Sequence, residues 1–142
     1  MKSFLLIFFL AGCVSAQSLD DTLKYLNETL PVAGTLRIET LSFSIEEPNF
    51  SSCNASWVET ILSSQRFSVP LGTVKAKASA YSTKPFGQIV LSGDITVKSV
   101  RYHDVTEIKA RLLVVKDEAI AGKLVKAFTR AAELCRSKPD LF

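Results

Sequence analysis

Residues 74–114 read VKAKASAYSTKPFGQIVLSGDITVKSVRYHDVTEIKARLLV, and most of the predicted sheet comes from this segment. Apolar side chains or glycine occupy every second position in three runs, Val74–Ala80, Ile89–Val97 and Ile108–Val114. Such alternation is typical of strands that bury one face. Because turn-forming residues stand between the runs, at 84–87 and 103–104, we predict an antiparallel meander.

The next segment supplies a cover for that sheet. Asp117 is a typical N-cap residue, and apolar residues recur after it at helical spacing: Ile120, Leu124, Phe128, Ala131 and Leu134. A sheet with one apolar face has to bury that face against another element. We therefore expect an α+β domain in which a curved sheet of four antiparallel strands packs on a C-terminal amphipathic helix.

The N-terminal half is expected to add one strand and two short helices. The leucines of residues 19–30 follow helical spacing as far as Pro31, and Ser56-Trp57-Val58-Glu59 has the form of a capping box. Between these helices, the alternation over residues 36–45 changes phase near Glu39–Thr40. A single strand keeps both sets inward only with a bulge there, so we predict one bulged strand.

Residues 1–16 have the pattern of a signal peptide. Lys2 precedes an apolar run, Phe4–Leu10, and Val14-Ser15-Ala16 supplies small residues for cleavage. The run is shorter than the roughly 20 residues that cross a bilayer. We predict that residues 17–142 form a single secreted, extracellular domain without a transmembrane segment. The alternative of a bacterial lipoprotein signal, Leu10-Ala11-Gly12-Cys13 with lipidated Cys13, stays open.

All three asparagines of the chain open an N-x-[ST] motif, at Asn27, Asn49 and Asn54. Serine and threonine make up roughly a fifth of the chain, so three hits from three is about a one-in-a-hundred accident. The motifs therefore favour a eukaryotic glycoprotein. In an oxidising compartment, the two cysteines of the mature chain, Cys53 and Cys135, are expected to form one disulfide rather than remain free or pair between chains.

The sequence lacks the residues that most catalytic sites need. His103 is the one histidine, and no nucleophile elbow, P-loop, dinucleotide fingerprint or calcium-binding loop is present. One histidine and two bridged cysteines do not make an ordinary zinc site. We expect a protein without catalytic residues, cofactor or metal, and without a nucleic-acid partner.

Our first functional hypothesis is a carrier of a small apolar ligand or lipid, held between sheet and helix. Mostly apolar pockets suit such ligands, and the small residues Ala76 and Ala78 leave room for one. The other candidate lining residues are Ile89, Leu91, Ile95, Val97, Leu112, Val114, Leu124 and Phe128. The alternative is that these side chains only pack on one another as a core.

The second hypothesis is an extracellular interaction module of immune or inhibitor type. Up to Glu59 the mature chain carries seven acidic and two basic residues, whereas fourteen basic and seven acidic residues follow. Lys75, Lys77, Lys109 and Arg111 are expected on the polar face of the meander, where they would form a basic platform. Such a platform would attract an anionic surface or an acidic protein.

The order of elements resembles one secreted family. A short helix, long bulged strands and a closing amphipathic helix look like the pattern of tubular-lipid-binding proteins. This resemblance covers most of the mature chain and implies an apolar ligand. A comparison with cystatin-like inhibitors fails, because Gln88–Gly93 is one residue longer than their Q-x-V-x-G hairpin and falls inside a strand run.

Overall fold

The structure is a computed structural model that describes residues 19–137. The predicted signal peptide and Cys13 lie outside the described residues. The described chain forms an α+β fold of two α-helices, one short 3-10 helix and seven strands. In chain order these are α1 (19–34), β1 (Leu36–Ile38), β2 (Leu41–Ser51), β3 (Asn54–Thr60), β4 (Ser64–Pro70), a 3-10 turn (Leu71–Thr73), β5 (Lys75–Ala80), β6 (Gly87–Ser99), β7 (Val105–Val115) and α2 (Glu118–Arg136).

The strands form one antiparallel sheet built around β6. Strands β1 to β4 follow one another, β4 pairs with the end of β6, and β5 pairs with its beginning. Strand β7 pairs along nearly the whole other edge of β6. The predicted meander of three strands is therefore confirmed, but the sheet has seven strands in place of the expected four.

One of the three extra strands comes from the segment predicted as one bulged strand. Residues 36–45 instead form a tight hairpin in which Ile38 pairs with Leu41. The phase change is the two-residue turn Glu39–Thr40, and Glu39 has a left-handed φ of 54°. A hairpin and a bulge both allow the apolar residues before and after the turn to share one face of the sheet. The alternation in the sequence therefore did not distinguish a hairpin from a bulged strand.

The predicted helix at Ser56–Glu59 is wrong, because these residues lie in β3. A capping box needs a helix after it, and only a few residues separate Glu59 from the serines at 63 and 64. Trp57 and Val58 are both buried, and aromatic and β-branched residues fit a pleated surface well. The N-terminal half thus has one α-helix, and α1 continues through Pro31 to residue 34.

The core lies between the curled sheet and the two helices. Its centre is an aromatic stack, in which Trp57 lies 5.9 Å from Phe50 on one side and 5.9 Å from Phe67 on the other. Phe128 of α2 packs at a tilt on Phe50, with ring centroids 5.7 Å apart. Helix α2 begins as predicted at Asp117, whose carboxylate accepts the Ile120 N–H at 2.8 Å.

The disulfide predicted from the cysteine count is present. Cys53 lies in the β2–β3 turn and bonds to Cys135 near the end of α2, with their Cα atoms 5.5 Å apart. Ser52 and Cys53 both have positive φ, 48° and 65°, as the two central residues of a type I′ turn require. The bond ties this turn to the helix. Within residues 19–137, neither helix is long and apolar enough to cross a membrane.

Candidate functional site

A cleft of about 220 Å³ opens where the curled sheet fails to close on itself. Among the described strands β7 pairs only with β6, so its other edge is unpaired. Consecutive residues of this strand, 111–114, line the cleft opposite consecutive residues of β2, 43–45. Both strands therefore present their edges to the space between them. We call this space the seam cleft.

The walls of the seam cleft are mostly apolar. Ile45 and Leu113 are buried and form its inner part, whereas Ile61 and Leu112 are exposed and lie at its mouth. The complete lining is Gly34, Phe43, Ser44, Ile45, Glu59, Ile61, Tyr81, Arg111, Leu112, Leu113 and Val114. An apolar space with a few polar groups is the usual form of a small-molecule site.

An ion pair between Glu59 and Arg111 supplies most of the polarity. Arg111 Nη2 lies 2.7 Å from Glu59 Oε1, and Arg111 Nε donates to the same oxygen at 3.2 Å. Glu59 is only 8% exposed, and its Oε2 accepts the Trp57 Nε1–H at 2.9 Å. The carboxylate is thus held by three donor groups from two strands, which fixes its orientation.

Arg111 belongs to the inner face of the sheet. Its guanidinium carbon lies 4.7 Å from the centroid of the Phe67 ring, a distance typical of cation–π contacts. In the β5–β6–β7 register, Arg111 stands in one row with Leu91 and Ala76. The charge is tolerated there because Glu59 neutralises it and Phe67 supports its flat face.

Most of the predicted ligand-lining residues form the core. Ile89, Leu91, Ile95, Leu124 and Phe128 are at most 1% exposed, and Val97 is buried with them. Ala76 is half-buried against this core, and Ala78 is exposed. Leu112 and Val114 are the two predicted residues that line the seam cleft. Most of the predicted lining residues therefore belong to the buried core, and the cleft that Leu112 and Val114 line lies at the sheet edges rather than under α2.

The inward face of β7 is the opposite of the predicted one. Leu113 and Val115 are buried, whereas Leu112 is 43% exposed. Residues 112–115 are apolar at every position, so alternation gives no phase there. The prediction placed the Arg111 side chain on the solvent-facing side of β7. In the structure Arg111 pairs with Glu59 on the inner face, so the residues of this strand that face inward are the opposite set.

The predicted basic platform is divided between two faces of the sheet. Lys75 and Lys77 stand in register rows with Ala110 and Leu112, on the face opposite Arg111. Lys109 lies at the register shift between Ser92 and Ile95, where its exposed side chain pairs with Asp94 at 2.9 Å, whereas Arg111 turns inward to Glu59. The hydrogen bond to Asp94 and the attraction of the Asp94 charge raise the pKa of Lys109 above its ordinary value of 10.5. The four cations do not form one surface.

The three glycosylation motifs have different surroundings. Asn49 and Asn54 are exposed near the β2–β3 turn, whereas Asn27 is half-buried in α1. Asn27 Oδ1 accepts the Phe50 N–H at 2.8 Å, and its Nδ2 donates to the Phe50 carbonyl at 3.2 Å. These two bonds close one ring, so the donated hydrogen lies on the same side of the amide as Oδ1. A sugar attached through a trans amide takes that same position.

Metal-binding side chains do not gather in the described part of the chain. His103 is exposed in the β6–β7 turn, with a φ of 62°. No three His, Cys, Asp or Glu side chains of residues 19–137 are placed to hold a metal ion.

Sequence reasoning missed the role of Glu59 and Arg111 as a pair. The available signal was weak: Glu59 follows Ala55 and Trp57 at every second position of β3, so a strand interpretation of that segment would place it inward.

No family model, curated protein or solved structure matches the chain.

Proposed function

We propose that the protein is a secreted, non-enzymatic glycoprotein that binds one small apolar molecule in the seam cleft. The observation that carries this proposal is the combination of apolar walls with the half-buried Glu59–Arg111 pair. The disulfide between Cys53 and Cys135 is compatible with an extracellular location. Because the side chains between the sheet and α2 are buried core residues, we place the ligand in the seam cleft instead.

The size of the cleft limits the ligand. Drug-sized pockets measure about 300–1,000 Å³, and the seam cleft at about 220 Å³ is smaller. It suits a short apolar molecule, or the end of a longer one that continues past Leu112 into solvent.

The ion pair indicates the chemistry of the polar end of the ligand. A guanidinium has five N–H donors, and the contacts with Glu59 use only Nε and Nη2. Nη1 is therefore suited to donate to a ligand oxygen, and Tyr81 lines the same cleft. A carboxylate ligand would lie beside Glu59 and be repelled. We expect a neutral alcohol or carbonyl group at this end.

Native mass spectrometry of the protein from eukaryotic cells, followed by solvent extraction, tests the proposal. The expected result is a discrete apolar molecule at near-stoichiometric occupancy. Leu112→Glu should remove it, because a charge at the mouth opposes entry of an apolar chain.

Leu41→Glu is the matched control for this experiment. Leu41 has the same 43% exposure as Leu112 but does not line the cleft. Equal ligand loss in both variants would contradict the seam as the binding place. A protein that carries nothing and also takes up no alcohol, fatty acid or sterol would contradict the function itself.

A further inference from the structure

Two neighbouring turns form one end of the molecule. The β3–β4 turn holds Ile61 and Leu62, and the β6–β7 turn holds Val100 and Tyr102. Their backbones join where the Val100 N–H donates to the Ser64 carbonyl at 3.1 Å. Strands β4 and β6 pair from Gln65 and Ser99 onward, so both turns leave the sheet at the same end.

This end carries most of the large exposed apolar side chains of the described chain. Five of the eight lie here, and we call them the apolar tip: Ile61, Leu62, Val100, Tyr102 and Val105. Leu62 is 89% exposed and Tyr102 is 67% exposed. Scattered exposed apolar residues are ordinary, but a contiguous group marks an interaction surface.

Basic side chains accompany the apolar tip. Arg101 lies over the Tyr102 ring, with its guanidinium carbon 5.3 Å from the ring centroid, and Lys98 is exposed opposite Val105. Asp104 is the acidic residue of the same turn, so residues 98–105 carry a net positive charge with His103 neutral. Glu107 lies further along β7, two residues beyond Val105.

We propose that the apolar tip docks on an anionic lipid bilayer. Its side chains project from two adjacent turns at one end of the molecule, where they can enter a fluid interface together. Tyrosine and long basic side chains are favoured at that depth, where the ring or stem is apolar and the polar end stays wet. This docking does not depend on the ligand proposed for the seam cleft.

Vesicle flotation tests the docking with equimolar phosphatidylcholine and phosphatidylserine, compared with phosphatidylcholine alone. The wild-type protein should float with the anionic vesicles and less with the neutral ones. Leu62→Ser with Tyr102→Ser should weaken binding at least about tenfold, because two apolar side chains no longer enter the interface. Arg101→Gln should lower affinity about fivefold, and only for anionic vesicles.

Val32→Ser is the matched control, because Val32 is also a well-exposed apolar residue. It lies at the opposite end of β7, where the Lys116 N–H donates to the Ala33 carbonyl at 3.0 Å. Its flotation should equal that of the wild type. Absence of wild-type flotation, equal loss in Val32→Ser, or a dimer that the Leu62→Ser and Tyr102→Ser variant abolishes would overturn the proposal.

Discussion

At the scale of single residues, the Glu59–Arg111 pair supplies most of the polarity of the seam cleft. Arg111→Met would leave the buried Glu59 carboxylate with only the Trp57 N–H as a partner. We expect the free energy of unfolding to fall by about 3 kcal/mol, as for other broken buried pairs. Urea unfolding of the variant measures this loss.

A second substitution separates the charge from the packing. Adding Glu59→Gln to Arg111→Met removes the uncompensated charge and keeps an acceptor for Trp57. The double variant should therefore recover more than half of the lost stability. Strictly additive losses would show that the two side chains do not act as a pair.

The pairing of Asn27 with Phe50 leads to a prediction about glycosylation. A glycan on Asn27 displaces the hydrogen that Nδ2 donates to Phe50, and keeping the bond would need a cis amide at a cost of about 2.5 kcal/mol. We expect glycans on Asn49 and Asn54 but not on Asn27 in the folded protein produced by eukaryotic cells. Enzymatic deglycosylation in ¹⁸O water followed by peptide mapping reads each site.

The control removes the motif without changing the asparagine. Thr29→Ala abolishes the Asn27 motif, so the variant should match the wild type in glycan mass and in unfolding free energy. Full occupancy of Asn27 together with unchanged stability would contradict the docking of α1 through this amide.

Part of the fold could be predicted from residue identity alone. The two cysteines predicted the disulfide, and Asp117 predicted the start of α2. The inward direction of the Arg111 side chain could not be predicted, because a charged side chain is placed in the interior only when its partner is known. Glu59 is 52 positions away in sequence, and no local pattern links the two.

At the scale of elements, glycines test how closely α2 is seated on the sheet. A Cβ at Gly87 would lie 2.7 Å from the Asp117 carbonyl oxygen, whereas a Cβ at Gly122 meets nothing within 4 Å. We expect Gly122→Ala to stabilise the protein by about 0.5–1 kcal/mol through helix propensity. Gly87→Ala should destabilise it, since backbone has to move at the start of α2.

Thermal or urea unfolding of these two variants gives the sign directly. The same substitution in both places controls for side-chain chemistry. A gain in stability for Gly87→Ala would show that the beginning of α2 lies farther from Gly87 than the 2.7 Å contact indicates.

The disulfide is a second device at this scale, because it ties the β2–β3 turn to α2 across 82 residues. In the chain-entropy model, closing such a loop contributes about 4–5 kcal/mol. Cys53→Ser with Cys135→Ser should lower the free energy of unfolding by about 2–5 kcal/mol in urea titrations. A loss below about 1 kcal/mol would show that the unfolded chain is already restricted in other ways.

Elements with strict alternation were predictable, and elements without it were not. Strands β5 and β6 have one apolar set, and both were placed correctly. In contrast, residues 55–59 are rich in inward side chains that also fit one helical turn, and the choice of strand depends on Phe50 and Phe67 on either side of Trp57. That contact is tertiary, so the local sequence does not contain it.

At the scale of the whole molecule, the sheet curls until β2 and β7 approach without pairing. This unclosed seam was not predictable, because it depends on the accumulated twist of seven strands. It places apolar strand edges beside the Glu59–Arg111 ion pair, whose carboxylate is buried. The proposed binding function rests on this geometry rather than on a hollow under α2.

The most direct test uses Trp57, the one tryptophan of the chain, which bonds to Glu59 at the cleft. Decan-1-ol is titrated into the wild type, Leu112→Glu and Leu41→Glu while Trp57 emission is followed. Saturable changes in the wild type and in Leu41→Glu, and none in Leu112→Glu, are the predicted result. An unchanged emission in the wild type, or identical titrations for all three proteins, would contradict binding in the seam cleft.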